Sequence, residues 1–290
     1  MKVSIVSSKN IPGVLFLNAP TSTSVPLVLD SPHSGMEYPE DFNHASDFMI
    51  LRRAEDTYIH ELYADAPDLG ATLMGAHFPR SYIDVNRGIT EMDTALIDGD
   101  WTRPVGESEK AGLGIGLIWR KNQINEDIYD RKLSVAEAEN RIDSYWVPYH
   151  DTLKAALDDT HASFGRVWHL NCHSMPEMSN ETSKEGPGVQ RPEFCLGDRR
   201  GTTCDPKFVA KTKEVLEELG YQVAVNEPYA GVELVRAYSD PDAGRHSLQI
   251  EIRRDLYMDE ATLEKSANFD KVKADLKVLV EKLAEFAAAN

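Results

Sequence analysis

The chain has 290 residues, 41% hydrophobic and 27% charged, a composition that fits a folded globular protein and excludes a disordered one. At this length folding buries roughly 75% of the surface of the unfolded chain, so neither a disulfide nor a structural metal is needed for a core. The formal net charge of −17 repels a phosphate backbone, so no nucleic-acid partner is expected, and any anionic substrate must meet local positive charge from a metal or from arginine.

The opening stretch MKVSIVSSKNIPGV lacks the apolar core of a signal peptide, and no apolar run approaches the ~20 residues that span a bilayer. A cytoplasmic protein with no membrane partner is expected. Residues 26–30 (PLVLD) read as a buried strand ending at Ser-Pro. Residues 45–66 read as a helix, with Phe48, Leu51, Ala54, Tyr58, Leu62 and Ala66 near one face. Residues 71–78 read as a strand, and 113–120 as another that its glycines weaken. A long helix should start at Ser134, with Glu137 completing a capping box, and run to about Ser163, bent or divided at Pro148.

Residues 166–171 read as a strand followed by a loop from Cys172, and 206–219 as a helix stopped by Gly220. Residues 221–225, 232–238 and 247–252 have strand character, and the last helix should cover 261–288. Pro and Gly are spread evenly and no repeat or linker appears, so residues 1–290 read as a single catalytic domain. The alternation predicts an α/β fold with a mixed, mostly parallel sheet flanked by helices on both faces. Ligands in such folds sit beyond the carboxyl ends of the strands.

Two histidines stand at strand ends, His33 in LDSPHSG and His173 in LNCHSMP. Either could be an ordinary turn histidine, but two unrelated strands ending in His-Ser beside a Pro suggest a pair of metal ligands. Two imidazoles and a carboxylate make an open catalytic zinc site, although Mn, Co or Fe could also take such ligands. For the carboxylate, Glu37, Glu55 and Asp56 are candidates; periodicity places Glu55 on the inward face of the 45–66 helix and Asp56 at its border. Solvated acids are the default for all three.

Glu251 lies between Ile250 and Ile252 in a strand. In a sheet covered on both faces it would be partly desolvated, as a general base needs to be. Arg80 and Arg87 follow the 71–78 strand; they are either surface ion-pair formers or forks for substrate carboxylates. Cys172, Cys195 and Cys204 form neither a disulfide framework nor a CxxC pair, and Cys172 reads as buried filler.

Five segments carry a resemblance: SPHSG (31–35), RAEDTYIHELY (53–63), FPRSYIDVNRG (78–88), LNCHSMP (170–176) and LQIEIRRDLYMDE (248–260). Together, and in this order, they resemble the N-formylglutamate amidohydrolase family over about residues 26–260. The resemblance implies a zinc-exopeptidase-like fold and favours Asp56 over Glu55 as the third ligand, giving a zinc set of His33, Asp56 and His173. The zinc carboxypeptidases are a remoter likeness. Their Asn-Arg carboxylate receiver is similar to Asn86-Arg87, and their catalytic Glu before an aliphatic residue and Arg is similar to Glu251. Their His-x-x-Glu ligand pair is not matched, because Met36 stands three residues after His33.

The function implied is hydrolysis of N-formyl-L-glutamate, a small anionic N-acyl amino acid, to glutamate and formate in histidine breakdown. Glu251 would be the base, and Arg80, Asn86 and Arg87 the substrate grip. The alternatives are a zinc amidase or carboxypeptidase acting on another N-acyl amino acid or small peptide, and a non-enzymatic binding protein that takes up no metal.

Overall fold

A computed structural model describes residues 6–181, 183 and 185–290, so the first five residues of the opening stretch lie outside it. Eight strands form one sheet: β1 (Lys9–Ile11), β2 (Leu15–Asn18), β3 (Leu27–Ser31), β4 (Thr72–Ala76), β5 (Val167–Met175), β6 (Phe194–Gly197), β7 (Val223–Val225) and β8 (Arg245–Arg253). Their order is β1-β2-β4-β3-β5-β8-β6-β7. The central run β4-β3-β5-β8 is parallel, as is the β6–β7 pair. The β1–β2, β2–β4 and β8–β6 pairs are antiparallel. The expected mixed, mostly parallel sheet is therefore present. Beside it, Ile97–Asp98 pairs with Leu133–Ser134 in a two-residue ladder.

The helices are α1 (Phe48–Arg52), α2 (Ile59–Leu62), α3 (Glu109–Gly112), α4 (Val135–Arg141), α5 (Val147–Phe164), α6 (Pro206–Glu218), α7 (Glu233–Ala237) and α8 (Phe269–Ala289). None among the described residues is long and apolar enough to cross a membrane. Leu216, Leu279 and Leu283 of α6 and α8 bury one sheet face, against Leu29, Leu170 and Ile250. Tyr149, Leu153 and Leu157 of α5 pack on the other, with Val28 and Met74. Both faces are covered, so every residue of β3 and β5 is buried.

Alternation along the two central strands sorts their side chains. Trp168, Leu170 and Cys172 of β5, with Leu248, Ile250 and Ile252 of β8, join the apolar cluster under α6 and α8. The opposite positions are His169, Asn171 and His173, paired in register with Ser247, Gln249 and Glu251. All six are buried. A polar ladder thus runs up one face of the sheet and ends at its carboxyl edge.

Several elements differ from expectation. The 45–66 helix is broken into α1, α2 and a 3-10 turn at Ala66–Leu69. Asp47 caps α1, but the Asp56 N–H donates to the His33 carbonyl at 2.9 Å, and Tyr58 takes a positive φ of 68°. Residues 113–120 form a turn rather than a strand, with the N–H groups of Arg120 and Lys121 on the Gly114 carbonyl. β5 runs on to Met175, so His173 lies within the strand and not in a loop.

Residues 232–238, expected as a strand, hold α7, and α8 begins only at Phe269. Turns that Asp259 nucleates, accepting from the N–H groups of Ala261 and Thr262, precede α8. The Ser134–Glu137 capping box is present. Between α4 and α5 the chain widens into a π-helix over Ile142–Trp146, just ahead of Pro148, whose ring would clash with the carbonyl four residues back in a regular helix.

Candidate active site

The carboxyl edge of the parallel run gathers side chains from three segments. β3 delivers the turn carrying His33. This turn lies flat on the chain at 77–78: a Cβ on Gly35 would sit 2.4 Å from the His77 carbonyl carbon, so only glycine fits. The broken α1–α2 segment delivers Asp56, drawn in by its backbone bond to His33. β5 delivers His173.

Their ligand atoms lie within 4.8 Å of one another, the group of His, Cys, Asp or Glu side chains suited to a metal among the described residues. His173 Nδ1 is 2.9 Å from Asp56 Oδ2 and His33 Nδ1 is 3.4 Å from the same oxygen. His33 Nδ1 is buried and makes no hydrogen bond.

The outward nitrogens are held. His33 Nε2 is 2.7 Å from Asp84 Oδ1, and His173 Nε2 is 2.7 Å from Asn171 Oδ1. With Nε2–H donated outward, both Nδ1 lone pairs face Asp56. This arrangement suits a metal, whose histidine ligands usually give their other N–H to a carboxylate or carbonyl. Burial pushes the Asp56 carboxyl up, but the adjoining His173 and His33 outweigh it and hold it well below the usual range. Arg254 adds a hydrogen bond from Nη2 to Asp56 Oδ1 at 3.0 Å. Two histidines, a charged carboxylate and an unpartnered buried ring nitrogen are a donor set that fits a divalent transition metal.

Glu55 is directed elsewhere. Its carboxylate accepts from Tyr38 Oη and Arg52 Nε, each at 2.7 Å, and burial pushes it up to about 7 against the pull of those partners. Glu37 is exposed and lies 3.4 Å from His77.

Glu251 stands beside His173 in register, with Oε1 accepting from Gln249 Nε2 at 2.7 Å. Burial first, and then the charge of Asp56, raise its carboxyl well above the usual range, while Arg80 and Arg254 pull the other way. Arg80 donates to Asp84 Oδ2 at 2.9 Å and lies over the Trp119 ring at 5.0 Å. Arg87 is buried, donating from Nε to the Ile115 carbonyl and from Nη1 to that of Asn86. The Asn86 amide is engaged at both ends: Oδ1 accepts the Leu234 N–H at 2.9 Å, and Nδ2 lies 3.0 Å from His173 Nε2.

Sequence reading missed Asp84, Asn171 and Arg254. Asp84 is the hub that joins His33, Arg80, Trp119 and the Asn86 N–H. Its place between Arg80 and Arg87 was one signal for it. Counting back by two from His173 along a strand would have reached Asn171 on the same face.

The family model for N-formylglutamate amidohydrolase matches residues 25–258. The chain belongs to this family. A crystal structure of N-formylglutamate amidohydrolase from Ralstonia eutropha JMP134 is similar at 43% identity and a TM-score of 0.90, covering 95% of this chain and 98% of that one. An N-formylglutamate deformylase from Pseudomonas putida is 27% identical over 247 residues, 81% of this chain and 83% of its own length. One from Pseudomonas aeruginosa is 26% identical over 246 residues, with the same coverage. The matched span takes in four of the five motifs whole, the fifth as far as Met258, and every residue of the site.

Proposed function

We propose that the protein hydrolyses the amide of N-formyl-L-glutamate to L-glutamate and formate, a late step of histidine breakdown. Residues 1–290 would form one catalytic domain working in the cytoplasm. The observation that carries the reading is the convergence of His33, Asp56 and His173 on one point beside the buried Glu251, within a chain of this family.

His33, Asp56 and His173 would hold one zinc ion. Zinc there would supply a Lewis acid for the formyl oxygen and bring the pKa of water down to ~7. Glu251 takes the proton of the attacking water as its oxygen bonds to the formyl carbon. The same carboxyl then hands that proton to the amine nitrogen as the C–N bond breaks, releasing formate. Its desolvated setting, which raises its proton affinity, suits both halves of the transfer.

Arg80 and Arg87 are the cations proposed to receive the substrate carboxylates, offsetting the acidic background of the chain. Asn86, expected to share this grip, has its amide occupied by Leu234 and His173, so in this proposal it braces the centre.

The test is formate release by zinc-loaded protein from N-formyl-L-glutamate, set against N-acetylglutamate, N-formylglutamine and small peptides. A strong preference for the formyl group together with the second carboxylate is expected. Faster turnover of peptides or of N-acetylglutamate would replace this reading with another amidase or a carboxypeptidase.

A further inference from the structure

Below the metal-site residues lies a second buried network, centred on Asp30. Its Oδ1 accepts from His169 Nε2 at 2.8 Å and from Asn171 Nδ2 at 2.7 Å, and its Oδ2 accepts from Tyr149 Oη at 2.7 Å. His169 Nδ1 is 2.7 Å from Ser247 Oγ. The order Ser247–His169–Asp30 resembles a nucleophilic triad, but all three side chains are fully buried and no substrate reaches them. Burial pushes the Asp30 carboxyl up, yet the His169 hydrogen bond and the other donors bring it below its ordinary value. Asp30 is thus an ionised group that only accepts.

That one-way character propagates. Asn171 must present Nδ2 to Asp30, which leaves Oδ1 for His173 Nε2. Oδ1 takes a hydrogen carried on Nε2, and the Nδ1 lone pair is then free. Asn86 asks the opposite. Its Oδ1 is committed to the Leu234 N–H, so its Nδ2 is the atom 3.0 Å from the same nitrogen. A donor there favours a bare Nε2 and a hydrogen on Nδ1, where it would block a metal. The Asn171 contact is shorter, at 2.7 Å, and its chain ends on a charge.

We propose that Asp30 is a positioning residue of the metal centre: acting through Asn171, it fixes the hydrogen of His173 on Nε2 and leaves Nδ1 for the metal. The inference rests on the metal-site reading above and adds to it a residue two hydrogen bonds away from the ligand.

The test is the zinc dissociation constant of the full-length protein, measured by competition with a chelator, with folding followed by thermal melting. In Asp30→Leu nothing accepts from Asn171 Nδ2. The Asn171 amide loses its fixed orientation and no longer outweighs Asn86, whose Nδ2 favours a bare His173 Nε2. Zinc affinity should fall about 10–100-fold, the usual effect of losing a histidine's outer partner. Combining Asp30→Asn with Asn171→Asp reverses both polarities, so an acceptor again faces Nε2 and affinity should return to near that of the parent. Tyr149→Phe removes another Asp30 partner without touching Asn171 and should bind zinc like the parent.

If Asp30→Leu does not fold, Asn171→Ala must show the same loss. The inference is overturned if either of these single variants, once folded, binds zinc as the parent does. It is also overturned if the reversed pair stays as weak as Asp30→Leu, or if Tyr149→Phe weakens binding equally. A parent protein that takes up no zinc overturns the metal-site reading and this inference with it. A parent that binds while Asp30→Leu binds equally overturns this inference alone.

Discussion

The two faces of strands β5 and β8 are made of opposite materials. Toward α6 and α8 the strands present Trp168, Leu170, Cys172, Leu248, Ile250 and Ile252. Such groups stabilise by removing area from water, about 1.5–3 kcal/mol for each large side chain, and neighbours of similar volume can replace them. Toward α5 the same strands present His169, Asn171, His173, Ser247, Gln249 and Glu251, joined by hydrogen bonds of 2.7–2.8 Å to one another and to Asp30. There each group has a fixed partner, and removing one strands the other at a cost of about 1–3 kcal/mol. Stability and chemistry are therefore separated by one step of strand alternation, and substitutions on the two faces should fail in different ways.

The largest separation is expected at Glu251. Glu251→Gln keeps the shape and the proposed metal ligands but removes the proposed proton acceptor, so kcat should drop about 10²–10⁴-fold. Melting temperature and zinc content should stay near those of the parent. Initial rates of formate release, paired with elemental analysis, read both quantities; a variant that retained most of its rate would remove Glu251 from the mechanism. The mirror experiment is Leu279→Ala on α8, a fully buried residue of the apolar cluster. It should lose about 2–5 kcal/mol in denaturant unfolding and keep the kcat of the folded fraction. A large kcat loss there would mean that the two faces are coupled. Between these sits Asp84→Asn, which weakens the partner of His33 Nε2. Zinc affinity should fall about 10–100-fold, and unfolding free energy should drop by about 1–3 kcal/mol as Arg80 and Trp119 lose their carboxylate acceptor. An unchanged affinity would show that His33 is oriented by its turn alone.

The same contrast accounts for what the sequence made legible. On the apolar side, α6 was expected at 206–219 and is found at Pro206–Glu218, because spacing of Phe208, Val209, Val215 and Leu216 is enough to define a helix face. The polar side breaks pattern rules. In 45–66 the helical spacing is real, yet the chain leaves the helix so that the Asp56 N–H can reach the His33 carbonyl. That bond joins positions 23 residues apart in sequence, and no local pattern encodes it. β5 continues past Asn171 through Cys172 and His173 because Glu251 and its neighbours on β8 pair with it, a long-range match. Residues 232–238 alternate like a strand, but α7 forms there, and its Leu234 N–H finds Asn86. His33, His173 and Glu251 were readable from strand position. Asp84, Asn171 and Asp30 matter through partners that only the folded sheet supplies.

The smallest effect in the series concerns His150, which braces the polar side from α5. Its Nε2 is 2.8 Å from the Val85 carbonyl, its Nδ1 is 2.7 Å from Tyr238 Oη, and its ring stacks on Trp146 at 3.7 Å. Trp146 in turn donates to the Arg87 carbonyl, so this stack supports the backbone of the arginine loop. Burial is the main reason the His150 pKa is lowered to about 4. In the unfolded chain it titrates near ~6.5, so at intermediate pH the unfolded state binds the extra proton. The contribution is complete above ~6.5 and is lost as the pH falls toward 4, amounting to about 1.4 kcal/mol of lost stability at pH 5.5 relative to pH 8. His150→Gln cannot titrate, so the stability gap between parent and variant should narrow by that amount between pH 8 and pH 5.5. A gap of constant size would mean that native His150 takes up its proton as readily as the unfolded chain does, near ~6.5. The Val85 carbonyl would then be braced by a cation at pH 5.5 and by a neutral ring only at pH 8.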